Sequence, residues 1–369
     1  MNKRVDQLDT NFAARGGRVE GELAWVSGKD PRLTVNGLPW FEENGREFIR
    51  LPKRAKGVVR DPVWELSTMP SGGRVRFKTD SSTVKLRVQH SRAELAMPHL
   101  CAVGMSGIDL YEGPPSRMTY WASNRPAEPT KPYECLYFEK MARKLREFTL
   151  YLPTYNDLVL LEIGLDKDAV VKPATAFRLR KPVVVYGTSI TQGGCASRVA
   201  NGHVPLIGRM LGVDVVNLGF SGNGQSEPEM AELVADIDAA CYVNDCIANM
   251  TEEQMKTRYR AFNEVLLRRH PETPVLMMSA IRYASEHYVG GGRQLVTNAI
   301  ARQAYQQLRK TDPGHVFFLD CTKVIGLEAD HPSVDGCHLT DLGYWRLAKA
   351  VAPVLGKILK LRPAMTAGF

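Results

Sequence analysis

The sequence predicts two folds in series, an antiparallel β-sandwich and then an α/β domain on an open parallel sheet. Three observations predict this. The chain has 369 residues, and at ~100–200 residues per domain that suggests two domains. Residues 18–178 show short alternating runs broken by Gly, Pro, Asn and Ser. From Lys181 the rhythm becomes strand, loop, helix, so the predicted domains are 18–178 and 181–361, joined near 175–181.

In the first half, Arg74–Lys78 and Val84–Val88 alternate apolar and basic residues with period 2. That is the pattern of strands with one wet face. Two more apolar runs, 148–153 and 158–165, flank the turn-like Thr154-Tyr155-Asn156-Asp157. Residues 134–147 read as a short helix or a charged loop. In the second half, 182–186 is fully apolar, as buried parallel strands are. Further strands are predicted at 213–217, 240–244, 274–278 and 316–319. Helices are predicted at 198–211, 252–270, 293–310 and 341–360, the last with Thr340 as N-cap. Alternating βαβ units place helices on both faces of one sheet, with ligands outside the carboxyl ends of its strands.

Composition narrows the function. Hydrophobic residues make up 44% and charged residues 24%, as in ordinary globular chains. No run of ~18 apolar residues is present, which argues against a membrane-spanning helix. The first nine residues are basic at the start but lack an apolar core, so no secretory signal is expected and the cytoplasm is the expected compartment. Seven cysteines without a C-x-x-C pair argue against a disulfide framework and a cysteine-cluster zinc site. The net charge of +8 sits mainly in residues 1–180, with 29 basic against 22 acidic residues. It reads as a solvated surface, or as attraction for an anionic partner. No basic-aromatic motif accompanies it, so nucleic acid is not an expected partner. The oligomeric state is not readable.

The chemistry follows from what lies after each predicted parallel strand. Gly187-Thr188-Ser189 follows the first, Gly219-Phe220-Ser221-Gly222 the second, Asn249 the third, and Asp335-Gly336-Cys337-His338 the fifth. This set permits acyl transfer. A serine hydroxyl needs a histidine to take its proton, and the histidine needs an acid to fix its tautomer. Ser189 is the candidate nucleophile, His338 the base and Asp335 the orienting carboxylate. The N–H groups of Ser189 and Gly222 and the Asn249 amide can supply an oxyanion hole.

The arrangement resembles the SGNH (GDSL-type) hydrolases. Gly187-Thr188-Ser189-Ile190-Thr191 is similar to the first family block, with Thr in place of Asp. Gly219-Phe220-Ser221-Gly222-Asn223 resembles the second, and Asp335-Gly336-Cys337-His338-Leu339 the last. The third block departs: Cys246-Ile247-Ala248-Asn249-Met250 stands where Gly-x-Asn-Asp is usual, while Asn244-Asp245 is expected inside the strand. Gly107-Ile108-Asp109-Leu110-Tyr111 resembles the signature of a β-sandwich domain that precedes one SGNH subfamily. The resemblance implies a flavodoxin-like three-layer α/β/α domain behind a jelly-roll-like sandwich. It also implies esterase activity, often carbohydrate deacetylation, without metal or cofactor. An acyltransferase of the same fold and a catalytically silent carbohydrate-binding protein are the alternatives.

Other residues weigh less. His331 is a competing base, but its spacing from Asp330 is too short. Cys195, Cys246 and Cys337 read as packing residues. Asp109 and Tyr111 are candidates for lining a substrate cleft, or else a turn residue and a core residue. Val289–Arg293 lacks the Lys-Ser/Thr of a phosphate loop and reads as a flexible loop over the site.

Overall fold

The computed structural model describes residues 8–9, 23–128, 130–290 and 292–361. One antiparallel sheet holds β1 (Leu23–Ser27), β4 (Val84–Gln89), β7 (Tyr133–Phe138) and β9 (Leu160–Asp166), in the order β1-β9-β4-β7. The second holds β2 (Thr34–Asn36), β3 (Arg74–Thr79), β5 (Asp109–Glu112), β6 (Thr119–Ser123), β8 (Arg146–Tyr151) and β10 (Val171–Lys172), in the order β10-β3-β8-β5-β6 with β2 also on β3. Period 2 explains the packing. Val84, Leu86 and Val88 of one sheet meet Val75, Phe77, Phe148 and Leu150 of the other in one core. Residues 134–147 are neither helix nor wholly loop. Tyr133, Cys135 and Tyr137 alternate inward on β7, and that short period is what the charges around it obscured.

The parallel sheet holds β11 (Val183–Gly187), β12 (Val215–Gly219), β13 (Cys241–Asp245), β14 (Val275–Met278) and β15 (Val316–Leu319), ordered β12-β11-β13-β14-β15. Val184, Tyr186 and Val216 point into one layer, with helices Pro228–Ala235, Arg260–Arg269 and Gly292–Thr311. Val183, Val185 and Val215 point into the other, with His203–Leu211 and Asp341–Ile358. The result is the three-layer α/β/α architecture of SGNH hydrolases. The 198–211 helix begins only at His203, with Gly202 at its N-cap. Helix 252–270 contains a π-helical turn at Met255–Tyr259. Thr340 holds the cap position of the last helix, but its hydroxyl donates to Pro332 O (3.2 Å) instead of accepting.

Two features tie the halves together. Trp40, Leu51, Val59 and Val63 lie in the core of the parallel-sheet domain, so that core reaches well across the expected boundary. Two of the three basic residues of β3, Arg74 and Arg76, are buried, and only Lys78 is partly exposed. Arg74 bonds Asp214 and Val215 O, and Arg76 pairs with Glu147 (2.9 Å) and stacks on Phe177. These side chains are buried at the seam because every guanidinium there meets a carboxylate, a carbonyl or a ring.

Candidate active site

Strand register builds the site. Gly187 pairs with Gly219 on one side and Asp245 on the other. The chain therefore leaves β11, β12 and β13 at one level, and segments 188–192, 220–224 and 246–249 lie side by side. The 2-1-3-4-5 strand order puts the switch point between β11 and β13, where open α/β sheets bind ligands. Ser189 follows β11 at that point. Thr188 caps the short helix Ser189–Gln192, accepting from the Ile190 N–H, so the Ser189 hydroxyl is not needed as a cap. Gly219 allows the close approach, because a Cβ there would meet Gln192 N at 2.2 Å.

The Ser189 Oγ lies 2.9 Å from His338 Nε2, and His338 Nδ1 lies 2.7 Å from Asp335 Oδ2. A sequence gap of only three residues suffices because the loop turns at Gly336, with φ +87°. The other oxygen of Asp335 accepts the N–H groups of Cys337 (3.0 Å) and His338 (2.7 Å). Burial alone would raise this carboxyl. The bonds from the His338 ring and from the two backbone N–H groups outweigh it and hold Asp335 at about 2.

Gly222 sits at φ +69° with open space where a Cβ would stand. Its loop is braced on both sides. The Ser221 N–H donates to Gln192 Oε1 (3.0 Å), and the Gly224 N–H donates to Asn249 Oδ1 (3.3 Å). With that oxygen engaged, Asn249 Nδ2 is the donor end of the amide. Asn249 ends a 3₁₀ turn just beyond β13, while Asn244 and Asp245 lie within the strand.

Asp109 and Tyr111 come to a different place than a cleft wall. They are 0% and 3% exposed. Asp109 Oδ2 accepts from Arg198 (3.1 Å) and from the Ala200 N–H (3.1 Å), and Tyr111 OH lies 2.7 Å from Arg198. Both side chains hold the 198–200 segment of the second domain against the sandwich: Asp109 lies in strand β5 and not at a turn, and Tyr111 packs with Tyr151, Val199 and Ala200 and not in the sandwich core. His331 bonds Ser333 Oγ and Arg282 O, away from Ser189. Burial raises the thiols of Cys195, Cys246 and Cys337, to about 12 for Cys195 with help from the charge of Asp335. Of the glycine run, Gly290 caps helix Glu286–Val289 and Gly292 opens the next helix, and Gly291 lies outside the described residues.

Several supporting residues were not singled out from sequence. The Tyr155 hydroxyl donates to Ser189 O (3.2 Å), and Gln192 Nε2 donates to Thr154 O (2.9 Å). Buried Arg50 donates to Leu66, Met69, Asn217 and Gly219 carbonyls. Asp245 accepts from Thr191 Oγ1 (2.8 Å) and lies 3.3 Å from His203 Nε2, directly under the first block. Only the place of Gln192 and Thr191 within the motif helix, and of Asp245 in the third predicted strand, carried a signal. The others come from segments far off in sequence.

Fold and site together define a carboxylic ester hydrolase. Residues 180–356 match the GDSL-like lipase/acylhydrolase family, and residues 23–171 match the N-terminal domain of SGNH-hydrolase-type esterases. The chain belongs to this family of two-domain SGNH esterases. Among solved structures it is similar to a Bacteroides ovatus protein described as a GDSL-like lipase, at 28% identity and TM-score 0.84, over 93% of this chain and 99% of that one. It is also similar to a salicylyl-acyltransferase of a tetracycline biosynthetic pathway (19%, 0.72, 92% and 99%). A third likeness is to an acetyl xylan esterase of Butyrivibrio proteoclasticus (11%, 0.59, 92% and 99%). The last two likenesses are of fold. No curated protein matches the chain significantly. Among the described residues no helix is long and apolar enough to cross a membrane.

Proposed function

We propose that the protein is a serine esterase that removes a small acyl group, acetyl in the first place, from a carbohydrate ester. The observation that carries the chemistry is the unbroken hydrogen-bonded chain Ser189–His338–Asp335. Ser189 Oγ attacks the ester carbonyl while His338 Nε2 takes its proton. Asp335 keeps the Nδ1 proton in place and stabilises the imidazolium. The tetrahedral oxyanion is met by the N–H groups of Ser189 and Gly222 and by Asn249 Nδ2, a donor set in which each member is worth roughly 3–4 kcal/mol. His338 then returns the proton to the leaving alcohol, and water repeats the sequence to free the acid and Ser189. The carbohydrate part of the reading draws on the sandwich domain and on the likeness to the acetyl xylan esterase.

A panel of p-nitrophenyl esters from C2 to C12 tests the acyl assignment. Turnover should be greatest at C2, and a preference for C12 would sink the small-acyl reading. Alcohols or sugars added to the same assay test acyl transfer, and acylated products outrunning free acid in water would replace hydrolysis with transfer. Binding to polysaccharide without turnover of any ester would leave the silent binding protein.

The Asp335 shift also fixes a pH dependence. Its carboxyl is depressed to about 2, so the charge remains through the acid range of an assay. Acid loss of kcat/KM should then follow one proton, with a limiting slope of one on a logarithmic plot. A slope of two developing above about pH 4, where ordinary carboxylates titrate, would overturn the assignment. The folded-state stabilisation from this carboxylate is present above about pH 4 and lost as pH falls toward about 2.

A further inference from the structure

Beside the proposed nucleophile, His338 shares a second cluster with two residues that ester hydrolysis does not use. A ring nitrogen of His99, the sulfur of Cys195 and a ring nitrogen of His338 all lie within 4.8 Å of one another. The His99 and His338 rings are 5.8 Å apart between centroids. His99 comes from the sandwich half and the other two from the parallel-sheet half.

The cluster is held from both sides. His99 sits in a tight turn closed by paired bonds between Met97 and Leu100, with Leu100 buried next to it. Two residues on, Cys101 Sγ bonds Ser197 O (3.1 Å), and Gly104 packs so closely that a Cβ would strike Ala196 O. Cys195 follows Gly193 and Gly194 and adopts φ +70°, a left-handed conformation unusual for a residue with a side chain. Non-glycine residues hold such strain where the surroundings impose it, often at functional sites.

The donor set selects the ligand. Two imidazoles and a thiol suit Zn²⁺ and similar thiophilic cations, whereas Mg²⁺ and Ca²⁺ require oxygen. Asp335 on His338 Nδ1 completes a carboxylate–histidine arrangement of the kind that orients metal-bound histidines. A tetrahedral Zn²⁺ needs its ligand atoms about 3.3–3.6 Å apart, so small side-chain rotations bring the three into range. Exposed His99 offers the entry path.

We propose that His99, Cys195 and His338 Nε2 form an inhibitory site for Zn²⁺ that bridges the two domains. Binding forms two Zn–N bonds and one Zn–S bond, water fills the fourth position, and the thiol proton leaves to solvent without any redox change. The ion occupies the lone pair that would otherwise accept the Ser189 proton. Binding stands on geometry alone, whereas inhibition rests on His338 as the base.

Cobalt(II), a spectroscopic substitute for zinc, tests binding independently of turnover. One equivalent added to the full-length protein should give a near-ultraviolet thiolate-to-cobalt charge-transfer band. The band should persist in Ser189→Ala, vanish in Cys195→Ala, and need at least tenfold more metal in His99→Ala. Zn²⁺ should inhibit turnover of p-nitrophenyl acetate, EDTA should restore it, and His99→Ala should raise the half-inhibiting concentration at least tenfold. No charge-transfer band, or inhibition unchanged in His99→Ala, would overturn the site. His99 is exposed, so its variant decides the matter even if Cys195→Ala does not fold. A wild-type protein that turns over no ester would count against the esterase reading, and the cobalt band would still decide the metal site.

Discussion

Ser189→Ala should lower kcat for p-nitrophenyl acetate by ~10³-fold or more, with the urea midpoint unchanged. The change deletes one oxygen, the one 2.9 Å from His338 Nε2. Thr188 still caps the helix through the Ile190 N–H, and Thr191 still bonds the Thr188 N–H, so local structure has no reason to fail. The Ser189 N–H, a proposed oxyanion donor, remains in place, so a small residual rate is expected. A thousandfold loss corresponds to about 4 kcal/mol of transition-state stabilisation. Near-normal turnover would show that another nucleophile operates. Cys195 is the nearby competitor, and its burial keeps it a thiol.

Arg50→Ala should destabilise the fold by at least ~3 kcal/mol in urea unfolding. Arg50 has no exposed surface, and burial pushes its guanidinium down to about 9, still charged at neutral pH. It donates to Leu66 O (2.7 Å) and Met69 O (2.7 Å) on one side. On the other it donates to Asn217 O (3.2 Å) and Gly219 O (2.5 Å), at the end of β12. Its Cζ also lies 4.7 Å from the Phe220 ring centroid. Alanine would leave four carbonyls without this partner in a closed space. Lysine should rescue little, because one ammonium cannot span four carbonyls set around a planar fork. Since Gly219 leads directly into the Gly222 loop, kcat should fall along with stability. A loss under ~1 kcal/mol would show that water replaces the guanidinium without cost.

Where the sequence carried a period, the fold was legible. Val183–Tyr186 is apolar without interruption because helices cover both faces of its sheet. Val75 and Phe77 alternate with arginines because only one side of β3 faces the sandwich core. What could not be read was the environment of the other side. Arg74 and Arg76 look like a wet face until Asp214, Glu147 and Phe177 arrive from elsewhere in the chain. The site followed the same division. Of the candidate residues, Ser189, Gly222 and Asn249 follow strands within short motifs, and Asp335 and His338 share one motif on the loop after β15, so local order marks them. Arg50, Tyr155 and His99 approach from the first half through long-range packing, which has no local period. Asp109 and Tyr111 stood in a conspicuous motif, yet their burial serves Arg198 and the seam.

The shared core has a consequence for how the molecule is made. Trp40, Leu51, Val59 and Val63 pack with Leu218, Phe262 and Leu308. At a synthesis rate of about 5–20 residues per second, Val63 leaves the ribosome about 10–50 seconds before Leu308 exists. Until Leu218 and its neighbours are made, Trp40, Leu51, Val59 and Val63 lack their own core, while Phe41 and Phe48 of the same segment belong to the sandwich core. The sandwich half can assemble early, but the parallel-sheet half closes only when both ends of the polypeptide are present. Nascent chains therefore carry four unmet core residues until the parallel strands are made, and a gene trimmed to the second half would encode a protein missing a piece of its own interior.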